Sequence, residues 1–387
     1  MSEEVSVVFN DHSQVSVGDL YPYQPIRFLE MHLDDLLAFC VAQGASDIKI
    51  YSQRELTIKV SGKTFPVTDR KLTNAEVQDF VARLYRGTNG VTQLASGKDI
   101  DVPYEIRPDR FSRNRFRVSM TSMHVGGQQG VRITLRSLAS IPPSVESMKV
   151  PQDLLDGFQP SNGMVLVTGP TGSGKSTLLA GIVRYLLEKK DSNLDILTYE
   201  APIEFVYDEV EADPSALISQ SEVPKDIRSF SLGVRNALRN NPDIILVGEA
   251  RDTETLTAAV EASLTGHIVY STVHSNDVPA TIKRVTIGAA DSGVITVADV
   301  IESLRMVVSQ RLLLNPNGGR TAIREYKAFT QDDRDRLIAC DQKDIAPLAA
   351  KMVLESGVSF ERAAKEAWDA GTIYERDYHK IRIEAGL

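Results

Sequence analysis

MVLVTGPTGSGKST, residues 164–177, is the stretch of sequence that decides the fold. Its apolar start, residues 164–168, predicts a buried strand, and residues 169–176 match the pattern G-x-x-x-x-G-K-[ST] without a gap. The amphipathic run KSTLLAGIVRYLLEK that follows predicts a helix. Strand, glycine-rich loop and helix in this order predict a loop that folds around phosphate groups, with its amide N–H groups directed inward at a helix N-terminus.

The residue types in this loop assign the expected contacts with a nucleotide. Lys175 would reach the β- and γ-phosphates, and the Ser176 hydroxyl would bind Mg²⁺. The expected nucleotide-binding residues are Gly169, Pro170, Thr171, Gly172, Ser173, Gly174, Lys175, Ser176 and Thr177.

The chain around this loop alternates apolar strands with helices. Continuous apolar strands are typical of a parallel sheet that helices cover on both faces. The pattern predicts strands at 164–168, 194–199, 244–248 and 267–272, and helices at about 175–190, 227–240 and 253–264. This part of the chain is therefore expected to have an α/β fold.

Acidic residues follow two of these strands. Ligands bind beyond the carboxyl ends of the strands in such sheets, and Glu249 stands at that end of NPDIILVGE. Asp243 lies six residues earlier, roughly 20 Å away along a strand, so it is expected to have a structural role. Glu200 and Glu204, in TYEAPIE, could orient or deprotonate a water that attacks the γ-phosphate. Glu249 is the candidate acid for Mg²⁺ or water.

Two histidines flank the predicted strand at 267–272. His274 follows its carboxyl end, on the side of the phosphate loop, and could sense the γ-phosphate. His267 precedes the strand, and a structural role is expected for it. No His or Cys spacing points to a transition metal.

Residues 30–136 show a mixed α and β pattern. Helical spacing covers 33–41 and 74–84, with Thr73 as the expected N-cap of the second helix. Two later segments alternate polar and apolar residues. Period two places Arg113, Arg115 and Arg117 on one face of the first strand. Arg132 and Arg136 share a face of the second strand, so the five arginines could form a basic face.

Proline positions and pattern changes divide the chain into five parts. Residues 1–29 are expected to form an N-terminal arm, loosely held over 1–24, and the proline-marked residues 137–152 a linker. Residues 153–325 would be the nucleotide-binding domain and 326–387 a helical C-terminal region. Helical structure is expected from about residue 297 onward, with an interruption near 315–320.

Composition bounds the class of protein. With 42% hydrophobic and 25% charged residues among 387, the chain is typical of a globular protein. A net charge of −9 weighs mildly against a surface that binds nucleic acid throughout. Cys40 and Cys340 make no disulfide framework, and no signal peptide or 20-residue apolar span is found. These observations predict a soluble, cytoplasmic protein.

Four motifs in fixed order resemble those of the secretion ATPase superfamily, the hexameric motors of type II secretion, type IV pili and type IV secretion. They are GPTGSGKST, TYEAPIEF, NPDIILVGEARD and TGHIVYSTVHSND, within residues 169–277. GASDI at 44–48, RFRV at 115–118, and SQRL at 309–312 followed by GGR at 318–320 extend the resemblance to about 30–330. The resemblance implies a PAS-like N-terminal domain and a RecA-like P-loop NTPase core with a helical tail.

The resemblance also implies residue roles. Glu204 would be the general base, Glu249 the Walker B acid that shares Mg²⁺ with Ser176, and His274 the sensor. Nucleotide would lie at the seam between a protomer's two domains and its neighbour. There Arg115 or Arg117 could stabilise the transferring phosphoryl group, and Arg132, Arg136 and Glu200 could contact nucleotide. Arg251 is a further candidate, as an ion-pair or interface residue.

The resemblance further implies partners. It implies a homohexameric ring that binds ATP and Mg²⁺. Inner-membrane and coupling proteins of a secretion machine would recruit this ring to the cytoplasmic face of the inner membrane. No direct contact with nucleic acid is expected, because the charge balance is acidic and no added DNA-binding domain is found.

The sequence departs from the superfamily pattern in two places. The usual E-D-P-I-E reads EAPIE at 200–204, so the Asp is missing, and the tail lacks the AIRNLIRE-like motif of pilus-retraction motors. The tail and the N-terminal arm are instead most similar to the ATPases of Dot/Icm-type secretion and IncI-type conjugation. A pilus retraction or assembly motor, a motor stimulated by nucleic acid, and a nucleotide-gated scaffold without hydrolysis remain alternatives. The arginine face could equally be solvated or bind phosphate groups of lipid or nucleic acid.

Overall fold

The computed structural model describes residues 10–87, 89–109, 112–138, 141–384 and 386. The chain divides into two compact units, Met1–Ser140 and Ile141–Leu387. Each unit is mixed α/β and has one sheet.

Unit 1 has a six-stranded antiparallel sheet in the order β3-β2-β1-β6-β5-β4. Its strands are β1 Asp47–Tyr51, β2 Thr57–Val60, β3 Lys63–Pro66, β4 Ile100–Ile106, β5 Asn114–Val125 and β6 Gln128–Leu138. Its helices are α1 Leu33–Ala42, α2 Asn74–Tyr85 and α3 Gly90–Ala95. Thr73 caps α2 as predicted, since its side chain accepts from the N–H of Glu76.

The N-terminal arm is anchored to α1 at three residues where it is described, although most of residues 10–24 are exposed. The loosely held segment expected over 1–24 stays a prediction. The carboxylate of Asp35 on α1 is buried and needs donors. Asn10, His12 and Tyr21 all bind it, and Phe28 is fully buried. Residues 1–9 of the arm lie outside the described residues.

The predicted basic face of β5 and β6 exists only in part. Arg113 precedes β5 and pairs with Glu105, and Arg115 is 8% exposed, so neither belongs to an open arginine face. Arg117 lies directly opposite Arg136 in the strand register, and both are exposed. Arg132 is exposed on the same strand as Arg136, which forms an ion pair with Asp47. Like charges directly opposite each other repel, and Asp47 offsets part of that repulsion.

Unit 2 has a seven-stranded sheet in the order β13-β12-β7-β11-β10-β8-β9. All neighbours are parallel except the β12–β13 pair. The strands are β7 Gly163–Thr168, β8 Asp195–Glu200, β9 Leu217–Glu222, β10 Ile244–Val247, β11 Ile268–Val273, β12 Leu304–Leu314 and β13 Arg320–Ala328. The helices are α4 Gln152–Gly157, α5 Lys175–Glu188, α6 Phe230–Ala237, α7 Thr253–Leu264, α8 Val278–Ala290, α9 Val297–Ser303, α10 Gln331–Ala339, α11 Ile345–Ser356, α12 Phe360–Asp369 and α13 Glu375–Glu384.

The helical structure expected from residue 297 onward is wrong over 304–328. The helix α9 ends at Ser303, and the chain then forms β12 and β13. β12 pairs with the central strand β7, so its apolar run is buried by the sheet. A short apolar run does not distinguish a buried strand from a buried helix. The segments after β13 are helical.

No helix within the described ranges is both long and apolar enough to cross a membrane.

Candidate nucleotide site

The phosphate loop joins β7 to α5, the strand and helix predicted around it. Gly169 has φ of +144°, and a Cβ atom there would come within 2.3 Å of the Gln310 backbone oxygen. Gly174 is left-handed at the start of α5, and no side chain caps that helix. The first N–H groups of α5 therefore remain available to an anion, which is the property that a phosphate-binding loop requires.

Lys175 is folded back inside this loop. Its Nζ donates to the backbone oxygens of Gly169 at 2.9 Å and Pro170 at 3.1 Å, and the residue is 8% exposed. Burial lowers the pKa of Lys175, while the nearby charges of Glu249 and Glu204 oppose that shift. The structure therefore brings both predicted carboxylates close enough to act on the Lys175 ammonium.

Glu249 follows β10 and lies between two basic side chains. Its Oε1 is 2.6 Å from Nε of Arg251 and 3.1 Å from Nε2 of His274. That oxygen is buried, and neither contact has hydrogen-bond geometry. A buried carboxylate oxygen with unused acceptor capacity can receive a further donor or cation.

The two acids of TYEAPIE occupy different surroundings. Glu200 ends β8, and its Oε1 accepts from Oγ1 of Thr198 at 2.8 Å and from Nε2 of Gln220 at 3.0 Å. Gln220, on the edge strand β9, was not predicted, because only the sheet order places it beside Glu200. Glu200 is thus held by its neighbours, whereas Glu204 lies beyond the strand, within electrostatic reach of Lys175.

A cavity of about 530 Å³ opens beside the loop at His274. Gly169 and Pro170 form one wall, and Lys283 and Arg284 of α8 contribute two further cations. Neither cation was predicted, since the sequence gives α8 no phosphate motif. The positive charge around this cavity suits a polyanion.

Asp243 and His267 lie at the opposite, amino-terminal edge of the sheet, as predicted. A carboxylate oxygen of Asp243 accepts from the N–H of Asp195, the first residue of β8, at 2.8 Å. The backbone oxygen of His267 accepts from the N–H of Gly163 at 3.0 Å. Both residues therefore contact the starts of strands.

The loop itself fits a phosphate chain. Ser173 Oγ is buried and has no hydrogen-bond partner among the described residues. With Lys175, the open start of α5 and the glycine backbone, this side of the sheet concentrates donors and positive charge. The predicted arginines Arg115, Arg117, Arg132 and Arg136 belong to unit 1 and its own sheet.

A strand, a phosphate loop and a helix, with carboxylates at the carboxyl ends of neighbouring parallel strands, define a P-loop NTPase. The chain belongs to the family described as type II/IV secretion system protein, whose sequence model matches residues 105–353.

Similar proteins support this assignment. The type IV pilus retraction ATPase PilT of Pseudomonas aeruginosa is 35% identical over 305 residues, 78% of this chain and 83% of that protein. The X-ray structure of the Legionella pneumophila ATPase DotB is 41% identical, with a TM-score of 0.82 over 96% of this chain and 100% of that one. The crystal structure of the pilus retraction motor PilT with bound ADP is 27% identical, with a TM-score of 0.74 over 90% of this chain and 96% of that one. The two-sheet α/β architecture is consistent with the fold of these ATPases.

Proposed function

We propose that this chain is the motor ATPase of a type IV secretion machine of the Dot/Icm-like or conjugative kind. The observation that carries the proposal is the 41% identity with DotB over nearly the full length of both chains. As a member of its family, the chain is an ATP hydrolase. ATP hydrolysis follows from the family alone, whereas the likeness to DotB supports the proposal that this hydrolysis drives secretion.

The site supports the following assignment of roles. The phosphates are bound by residues 169–177, which include Lys175. Glu204 is the general base, and Glu249 and His274 act on the γ-phosphate side. Mg²⁺ would be held by Ser176 and Glu249, and when bound it would neutralise charge on the phosphate oxygens. The burial of Glu249 Oε1 without an aligned donor supports its part in this arrangement.

The motor is proposed to act as a homohexamer on the cytoplasmic face of the inner membrane, docked to other proteins of the machine. Each protomer would combine a PAS-like domain at 30–136, a linker at 137–152, a RecA-like domain at 153–325 and a helical region at 326–387. In the ring, Arg117 or Arg115 would stabilise the transferring phosphoryl group, and Arg132, Arg136 and Glu200 would contact nucleotide.

Two substitutions test the site. Lys175→Ala removes the ammonium that the loop folds around, and Glu204→Gln removes the proposed base while keeping its shape. Each is expected to lower ATP turnover of the purified chain at least about 100-fold. Glu209→Gln, in the exposed loop after β8, is the matched control and should leave turnover unchanged. Turnover at the unsubstituted level in both site variants would contradict the assignment.

A pilus motor is the second candidate, favoured by the 35% identity with PilT over most of both chains. Deletion of the gene in its host separates the two. Loss of conjugation or effector transfer, with twitching motility intact, supports the secretion motor. Loss of twitching alone supports the pilus motor.

A further inference from the structure

Two buried polar side chains connect the phosphate loop to residues 148 and 149 of unit 2. Gln310 on β12 is 3% exposed and lies directly opposite Arg324 on β13, which is 7% exposed. Nε of Arg324 donates to Oε1 of Gln310 at 2.8 Å. Nε2 of Gln310 donates to the backbone oxygen of Ser173, within the phosphate loop, at 2.7 Å. The arginine thus fixes which way the amide points, and the amide holds the loop.

The other end of Arg324 binds the segment that follows unit 1 in the chain. Its two terminal nitrogens donate to the backbone oxygens of Met148 at 3.1 Å and Lys149 at 3.3 Å. Val150 closes a turn there by donating to the oxygen of Val145 at 3.0 Å. Oxygen atoms of residues 148, 149 and 310 therefore surround the guanidinium.

Arg324 is a buried cation without a carboxylate within ion-pair distance among the described residues. Burial lowers its pKa to about 10, so the side chain still carries its charge at neutral pH. A buried charge is costly unless its hydrogen bonds are satisfied. Any movement of the Met148 and Lys149 carbonyls would therefore be resisted by Arg324, and through it by Gln310.

The same segment also contacts α5, the helix that begins at the phosphate loop. A Cβ atom on Gly181 would lie 2.1 Å from Cε of Met148 and 2.7 Å from the oxygen of Pro143. Arg184 donates to the oxygen of Pro142 at 2.7 Å. The segment is thus joined to the loop through Arg324 and to its helix through close packing.

We propose that Gln310 and Arg324 are positioning residues that form a relay between the phosphate loop and residues 144–150. The relay holds the Ser173 carbonyl in place for nucleotide binding, and it passes displacement of the loop to the segment that leads from unit 1. This inference rests on the proposed nucleotide site. It adds two residues, neither directed at the phosphates, that couple this site to the rest of the chain.

Gln310→Glu cuts the relay at one bond. The carboxylate can still accept from Arg324 but cannot donate to the Ser173 oxygen. Arg324→Lys keeps a charge but loses the planar fork that reaches three oxygens. ADP affinity, steady-state kcat and KM for ATP, and amide hydrogen exchange of residues 144–150 with and without ADP would be measured on the full chain.

In the unsubstituted chain, ADP is expected to slow exchange at 144–150. In both variants this protection is lost. ADP affinity falls about three- to tenfold in Gln310→Glu because the hydrogen bond to the loop is missing, and it falls in Arg324→Lys because the Gln310 amide is no longer held in the orientation that makes this bond. KM for ATP rises by a similar factor, while kcat changes less. If Arg324→Lys fails to fold by thermal unfolding, the nearly isosteric Gln310→Glu decides the question.

Arg320→Lys and Gln342→Glu repeat the two chemical changes at exposed positions and should behave as the unsubstituted chain. Equal ADP protection of 144–150 in Gln310→Glu and the unsubstituted chain would overturn the relay. If the unsubstituted chain binds ADP but hydrogen exchange at 144–150 does not change, the relay is overturned while the nucleotide site stands. Failure of that chain to bind ADP would overturn the nucleotide site, and the relay with it.

Discussion

At the scale of single residues, Glu249 concentrates the chemistry of the site. Its Oε1 lies 2.6 Å from Arg251 and 3.1 Å from His274, and its charge acts on Lys175. Glu249→Gln keeps the volume but removes the negative charge among three basic groups. We expect ATP turnover to fall about 100- to 1,000-fold, as for loss of a positioned acid–base or metal-binding group, while nucleotide binding persists. Phosphate release and binding of a fluorescent ADP measure the two effects.

Glu254→Gln provides the control for that substitution. Glu254 is exposed in the first turn of α7, 3.8 Å from Arg235, so the same change should leave turnover intact. Equal turnover for Glu249→Gln and Glu254→Gln would show that Glu249 has no part in hydrolysis.

Residues of the site differ in how far sequence reveals them. Lys175 and Glu249 are predicted because local spacing and strand direction determine their positions. Gln220, Gln310 and Arg324 depend on contacts between segments far apart in the chain, such as Arg324 with Met148, 176 residues away. Only the folded sheet brings those segments together, so no local pattern announces them.

At the scale of elements, the start of α2 depends on one buried carboxylate. Burial alone would raise the pKa of Glu76, but hydrogen bonds from Arg70, Thr73 and Phe28 hold it at about 2. The folded pKa lies below the unfolded value of 4.5, so the unfolded chain binds more protons between these values. This contribution is therefore present above about pH 4.5 and is lost as the pH falls towards 2.

Glu76→Gln is expected to lower the free energy of unfolding of unit 1 by about 2–3 kcal/mol at pH 7. When the pH is lowered from 5 to 3, the stability of the Glu76→Gln variant should also fall less than that of the unsubstituted chain. Urea unfolding, monitored by hydrogen exchange of the amides within α2, measures both quantities. The exposed Glu30→Gln is the control, and an unchanged pH dependence in Glu76→Gln would refute the role of this carboxylate.

Helices and strands were predicted correctly where periodicity and end signals agree, and wrongly where pairing within the sheet determines the structure. α7 has the predicted bounds, and its N-cap Asp252 accepts from the N–H of Thr255. β12 carries an apolar run that suits either structure, and only its pairing with β7 makes it a strand. The contacts of the arm with Asp35 could not be predicted, because no local pattern links Asn10 and Tyr21 to a carboxylate on α1.

At the scale of the whole molecule, the continuous apolar strands predicted the parallel core of unit 2, and the mixed α and β pattern of residues 30–136 predicted the mixed α/β structure of unit 1. The arrangement of edge strands could not be predicted. β13 runs antiparallel at one edge and β9 covers Glu200 at the other, and both placements depend on contacts across the sheet. The arginine face likewise needed the folded sheet, in which Arg117 lies opposite Arg136 and Arg115 is buried.

The proposed ring predicts that nucleotide sites are shared between copies of the chain. Arg117 is exposed on a strand face where Arg136 repels it, so an anion from another surface would stabilise it.

Arg117→Ala and Lys175→Ala should each be nearly inactive alone, since an arginine that stabilises a transferring phosphoryl group is worth about 10³–10⁵ in rate. If Arg117 acts on a neighbour's nucleotide, mixing the two variants before assembly should restore about a quarter of the sites, those with an intact loop and an intact neighbouring arginine. Mass photometry with ADP would verify assemblies near six times 42.6 kDa, and co-purification through an affinity tag carried by one variant alone would verify that the rings are mixed. The absence of recovery in verified mixed rings would place the arginine's action within its own protomer, and a fully active Arg117→Ala would exclude that action altogether.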